Sequence, residues 1–222
     1  ATIQWSYDLL EPDERTAFRA LAVFQGGFTL AAAEAVLADS HGFDAFTTLE
    51  LVSSLIDKNL IRTASVDGAE PRYAMLFIIR SFGFAELEAS ADSESIHRGF
   101  VRWVQALTDR AARVFRDGGA EEQWDHFAEM ERERGNWRAA LRWLNEHGPA
   151  SDLHALATRL GWFWYVRGPI TEGQFWLGRA LANRSVAPEI QQPTLMAAGM
   201  LQHFGGDNEA AIALLRESLN TP

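Results

Sequence analysis

The chain has 222 residues, enough for two domains of ordinary size, and 47% of them are hydrophobic, with eight tryptophans and fourteen phenylalanines to fill a core. It has no cysteine, which excludes disulfides, thiolate metal sites and a cysteine nucleophile, and which fits a reducing, cytoplasmic setting. The net charge is −10; six basic residues face thirteen acidic ones up to residue 90 and fourteen face seventeen after it, so neither part supplies the basic footprint that nucleic-acid binding requires.

In chain order, Ile3, Tyr7 and Leu10 stand at helical spacing and predict a first helix over 3–10. Glu11-Pro12-Asp13-Glu14 opens a second, because proline is tolerated in a first turn and acidic residues favour the positive end of the helix dipole. Gly26-Gly27 stops it. Thr29 caps a short helix that ends at Asp39-Ser40-His41-Gly42, and Asp44 starts another, with Phe46, Leu49, Val52, Leu55 and Ile56 as its apolar face. The short segments 60–63 and 72–75 flank Val66-Asp67-Gly68-Ala69, and Asp-Gly is a hairpin turn signal. A helix over 77–88 follows. Helices, a hairpin and a closing helix are the order of a winged-helix domain with one extra helix.

Residues 89–95 (ASADSES) are small and polar, a linker and the cap of a long helix over 96–115. Gly135-Asn136, Gly148-Pro149, Gly168-Pro169, Ser185 to Pro188 and Gly205-Gly206-Asp207 break the remainder into further helices. No apolar run reaches the ~18–20 residues of a membrane span, and no signal peptide is visible.

One helical-pair pattern recurs in the second half. The tetratricopeptide signature runs W-x2-L-G-x2-Y, then A-x3-F. Leu160-Gly161-x2-Trp164 is followed, twelve residues after its glycine, by Gly173-x3-Leu177; Ala198-Gly199-x2-Gln202 is followed at the same distance by Ala211-x3-Leu215. A weaker copy reads Trp124-x2-Phe127-Ala128, then Ala140-x3-Leu144. Gly135, Gly168 and Gly206 mark the turn within each copy. Such repeats stack their apolar faces and leave a concave surface for a partner. The expected fold is therefore mainly α: a winged-helix domain over 1–90 with a small β-hairpin, then a TPR-like helical repeat domain over 91–222. The chain would stop where a further repeat begins, as if cut from a longer array.

The string IQWSYDLL, then GGFTLAAAEAV, LVSSLIDKNLIR and PRYAMLFIIRSFGFAEL, resembles the winged-helix segment of bacterial signal-transducing ATPases with numerous domains (STAND), the AfsR-like and LuxR-type transcriptional regulators. ERERGNWRAALRWL and YVRGPITEGQFWLGRALA resemble that family's first repeats. The resemblance implies an NB-ARC nucleotide-binding module upstream, in intramolecular contact with this segment. The family's P-loop is absent here, so no triphosphate cradle and no cofactor is expected in this chain. The family's Met-His-Asp nucleotide sensor aligns with Met75-Leu76-Phe77. Leu76 cannot donate a hydrogen bond to phosphate and Phe77 cannot act as an acid, so both are expected to pack, in the core or against the upstream module.

No catalytic constellation is present. The acidic pairs lie among arginines on helices, where intrahelical pairing is the ordinary outcome. The six histidines lack the spacing of a metal site. The helix over 44–60 offers base edges only one lysine and one asparagine, both at its end. By contrast, the positions one and four after each repeat glycine should face the concave groove: Trp162 and Tyr165 in one repeat, Met200 and His203 in the next. Aromatic and methionine side chains make adaptable contact surfaces, so these four form the candidate site for a protein or small-ligand partner.

Overall fold

A computed structural model of the chain describes residues 2–64, 70–183 and 185–221. These form two compact units, one of residues 1–104 and 133–140, the other of 105–132 and 141–222.

The first unit holds α1 (Thr2–Asp8), α2 (Pro12–Leu21), β1 (Phe28–Thr29), α3 (Leu30–His41), α4 (Ala45–Asp57), β2 (Arg62–Ala64), β3 (Arg72–Ala74) and α5 (Phe77–Glu88). The first part of α6 (Ser93–Asp117) and the first part of α8 (Arg134–His147) belong to it as well. Helix starts follow the side chains that satisfy orphan N–H groups. Thr29 Oγ1 accepts from the Ala32 amide at 3.2 Å, and Asp44 Oδ1 accepts from the Thr47 amide at 2.7 Å. Helix α3 ends on Gly42 at φ 72°.

The three strands form an antiparallel sheet in the order β1-β3-β2, with Phe28 opposite Tyr73 and Tyr73 opposite Thr63. Strand β1 has only two residues, too few for alternation to show, and the sequence reading has Thr29 as a cap alone. The turn expected at 66–69 lies outside the described residues. The buried face of α4 also differs from expectation. It presents Thr48, Leu51, Val52 and Leu55 inward, while Phe46 and Leu49 are 67% and 44% exposed. A helical period fixes spacing but not which of two adjacent rows meets the core.

The linker expected at 89–95 is not where the compact units divide. Helix α6 begins at Ser93 and continues past it, and its Ile96, Phe100, Val101 and Val104 are buried in the first unit. Phe100 meets Phe24 edge-on with centroids 5.3 Å apart.

Glu14 in α2 is buried, and its carboxylate accepts hydrogen bonds from Lys58 Nζ, Ser54 Oγ and the Glu11 amide. Burial acts to raise its pKa, but the Lys58 and Ser54 hydrogen bonds, the Glu11 amide and the Lys58 charge together outweigh it and hold the group below its ordinary value. Asp44 is held low by the Thr47 amide it caps. A carboxylate whose folded pKa is depressed stabilises the fold above its ordinary pKa, about 4.5 for Glu14, and that contribution disappears as pH falls through the folded value. Urea midpoints measured from pH 7 down to pH 3 should therefore fall, and Glu14→Gln should shrink the fall. An unchanged acid slope in that variant would show that Glu14 contributes nothing to it.

The second unit continues α6 and adds α7 (Ala120–Arg132), the rest of α8, α9 (Ala150–Arg167), α10 (Ile170–Ala182), α11 (Pro188–Phe204) and α12 (Asn208–Asn220). Each of the last four packs on the next, and α9 also packs on α11. Leu160, Phe163, Trp164, Leu177 and Leu195 form its interior. His154 is buried and satisfied, with Nδ1 2.9 Å from Thr194 Oγ1 and Nε2 3.1 Å from the Asn183 carbonyl. Two of the three glycines expected to mark turns stand between helices at positive φ, Gly168 at 53° and Gly206 at 92°. The third does not. Helices α7 and α8 divide at Glu133, and Gly135 lies inside the first turn of α8. Its role is close approach, since a Cβ there would stand 3.0 Å from the Gly26 backbone nitrogen. No helix among the described residues is long and apolar enough to cross a membrane.

Candidate partner-binding groove

Trp162 and Tyr165 stand three apart on α9, and Met196 and Met200 four apart on α11, so each pair shares one helix face. These two faces, with Phe115 at the end of α6, wall a cavity of about 330 Å³ within the second unit. Trp162 is half exposed and its ring meets Tyr165 edge-on at 5.7 Å. Tyr165 in turn lies 4.2 Å from the Phe204 ring. Trp164, between them in sequence, points the other way and is fully buried.

Three of the four candidate residues, Trp162, Tyr165 and Met200, line this cavity, and His203 does not. His203 is exposed, with Nδ1 2.8 Å from Asn208 Oδ1 and its ring 5.2 Å from Phe204. The bond to Asn208 draws it toward the start of α12. Phe115, Met196, Arg116 and Arg159 are cavity residues that the repeat spacing misses. Arg116 and Phe115 lie outside the repeat pattern, and only Met196, four before Met200, carried a periodic signal.

A second hollow of about 230 Å³ shares Trp162 and Phe115 with the first and adds Trp124, Phe127 and Val166. The Arg167 guanidinium sits 4.7 Å above the Trp124 ring, a cation–π arrangement on a half-exposed indole.

Comparison with known proteins gives the groove a context. Over 189 residues the chain is 33% identical to proteins of Mycobacterium bovis and Mycobacterium tuberculosis, each named "Putative HTH-type transcriptional regulator". The chain is similar to a segment of proteins that bear this name. The matched region covers 83% of this chain but only 20% of each regulator, so the chain spans about one fifth of the length of these relatives. A Mycobacterium tuberculosis protein named "Uncharacterized protein" is 34% identical over 96 residues, 43% of this chain and 24% of that protein. No family model matches the chain. No solved structure matches it.

In the first unit the candidate positions Leu76 and Phe77 are exposed, at 47% and 79%, and Ile78 beside them at 66%. Packing in the core is thus ruled out for both. Leu76 is the residue before α5 and Phe77 its first, so their side chains project from a helix start. The exposed residues of α4 include Phe46, Leu49, Glu50, Ser53 and Asp57, and its one lysine neighbour, Lys58, is engaged by Glu14.

Proposed function

We propose that this chain is the non-catalytic relay and sensing segment of a bacterial, cytoplasmic regulator of the STAND/NB-ARC type, a winged-helix domain followed by a TPR-like repeat array. The observation that carries the reading is the cavity between α9 and α11, where Trp162, Tyr165 and Met200 converge from two successive repeat glycines. Such a surface suits a protein or small-ligand partner. The strand and helix order α2-β1-α3-α4-β2-β3, with its antiparallel sheet, supports the winged-helix assignment. The small residues at close helix approach support the repeat assignment: a Cβ at Gly173 would lie 2.9 Å from the Trp164 ring. The exposed Leu76, Phe77 and Ile78 supply an apolar surface for an upstream nucleotide-binding module, which the greater length of the regulator relatives leaves room for.

The second reading is a transcription factor that holds DNA with its winged helix, through α4. The exposed face of α4 argues against it, because it bears Phe46, Leu49, Glu50 and Asp57 and no arginine. Anisotropy titrations of a labelled duplex at 50 and 200 mM salt separate the two. The relay reading predicts no saturable binding. A dissociation constant on the order of micromolar or tighter that weakens steeply with salt would transfer the function to the winged helix.

A further inference from the structure

Helix α4 buries Thr48, Leu51, Val52 and Leu55, and its opposite side carries two rows of a different kind. Leu49, 44% exposed, and half-buried Ile56 stand seven apart and form an apolar row. Glu50 and Asp57, both exposed, also stand seven apart and form an acidic row beside it. Phe46, 67% exposed, lies three before Leu49 and four before Glu50 and so heads both rows. The stripe from Phe46 to Asp57 runs roughly 16 Å, three helical turns. Glu50 and Asp57 have no ion pair and no side-chain hydrogen bond among the described residues. Lys58, at the end of the helix, is engaged by Glu14 instead. The surrounding sequence does not compensate, with six basic residues against thirteen acidic ones up to residue 90.

We propose that this face of α4 docks a cationic amphipathic helix of a partner protein. The partner's apolar side would cover Phe46, Leu49 and Ile56, and its lysines or arginines, two turns apart, would meet Glu50 and Asp57. Charge complementarity selects the occupant: two unpaired carboxylates beside an apolar row attract a cation and repel nucleic acid, acidic peptides and anionic lipid. An arginine gains a further contact over the exposed Phe46 ring. A helix is the fitting shape, because the backbone groups inside α4 are already paired and leave an extended strand nothing to bond, whereas helix ridges pack into helix grooves. The interface adds to the relay reading and does not rest on the cavity between α9 and α11.

The test is fluorescence anisotropy of a labelled amphipathic peptide of leucine and lysine, titrated with the 222-residue chain, beside a twin with glutamate in place of each lysine. The lysine peptide should bind saturably, and more weakly as salt rises; the twin should not bind. Phe46→Ala combined with Leu49→Ala should lower affinity about 10-fold or more, as loss of apolar anchors does. Glu50→Gln combined with Asp57→Asn should also lower it and flatten its salt dependence. All four positions lie outside the core, so circular dichroism should confirm unchanged folding. Trp162→Ala should bind as wild type does, which keeps this face distinct from the groove. No binding of the lysine peptide, equal binding of its twin, or binding that survives the Phe46 and Leu49 changes would overturn the proposal and leave the groove standing. A DNA duplex that displaces the peptide would overturn it in favour of nucleic acid. A wild-type dimer that the Phe46 and Leu49 changes make monomeric in sedimentation would overturn it in favour of a second copy.

Discussion

Trp164→Ala should destabilise the chain by about 3–5 kcal/mol, the range for a fully buried aromatic truncated in a packed interior. Trp162→Ala, two residues away on the same helix, should cost less than about 1 kcal/mol. The chemistry of the two substitutions is identical, so the difference isolates burial. Trp164 has no exposed surface, whereas Trp162 is 51% exposed. Trp164 also fills a slot made for it, because a Cβ at Gly173 would come 2.9 Å from its ring and would also meet Leu201 Cδ1. The cavity left by truncation therefore lies between α9, α10 and α11, which pack on one another and cannot collapse one at a time. Denaturant midpoints of the two variants check this. Equal losses would mean that the inward and outward assignments on α9 are wrong.

Asn136→Ala should cost about 3 kcal/mol or more, although it removes only a small polar side chain. Asn136 is fully buried. Its Oδ1 accepts from the Gln25 amide at 2.8 Å and the Gly26 amide at 3.2 Å, and its Nδ2 donates to the Gly27 carbonyl at 2.9 Å and to Glu133 Oε2. Arg72 closes the node by donating to Glu133 Oε1 and to the Gly26 and Gly27 carbonyls. Alanine would remove four hydrogen bonds made from a fully buried side chain, one of them to the Glu133 carboxylate, each worth about 0.5–1.5 kcal/mol and more for the charged partner. The exposed pair of Arg98 and Glu94 makes the contrast: Arg98→Ala should change stability by no more than about 0.5 kcal/mol. A loss below about 1 kcal/mol for Asn136→Ala would show that water replaces the side chain there.

This node also shows where sequence reading stops. Glu133, Gly135 and Asn136 look like a turn within a weak repeat copy, because glycine followed by asparagine is a local signal. Their partners lie 61 to 111 residues away, on the 25–27 loop and β3, and no local pattern reports them. The helix breaks at Gly168 and Gly206 were legible because those glycines act locally, at positive φ, and Gly173 acts locally too, beneath a near-neighbour ring. Three of the four groove residues were legible for the same reason, since the spacing from each repeat glycine fixes a helix face. His203 shares that spacing but lies at the end of α11, where Asn208 claims its ring. The exposed Phe46 and Phe77 mislead in a general way: sequence pattern marks them as apolar and cannot say that the fold leaves them on the surface.

The measurement that bears most directly on the sensing role is affinity capture with the intact chain beside its Trp162→Ala, Tyr165→Ala and Phe77→Ala variants, all confirmed folded. The account predicts that the two groove variants lose a captured partner or ligand that wild type holds, because aromatic anchors dominate binding at such surfaces. Phe77→Ala, in the other unit, should retain it. Groove variants that fold and capture as wild type does would contradict the account, and the aromatic cluster of α9 would then be packing surface alone.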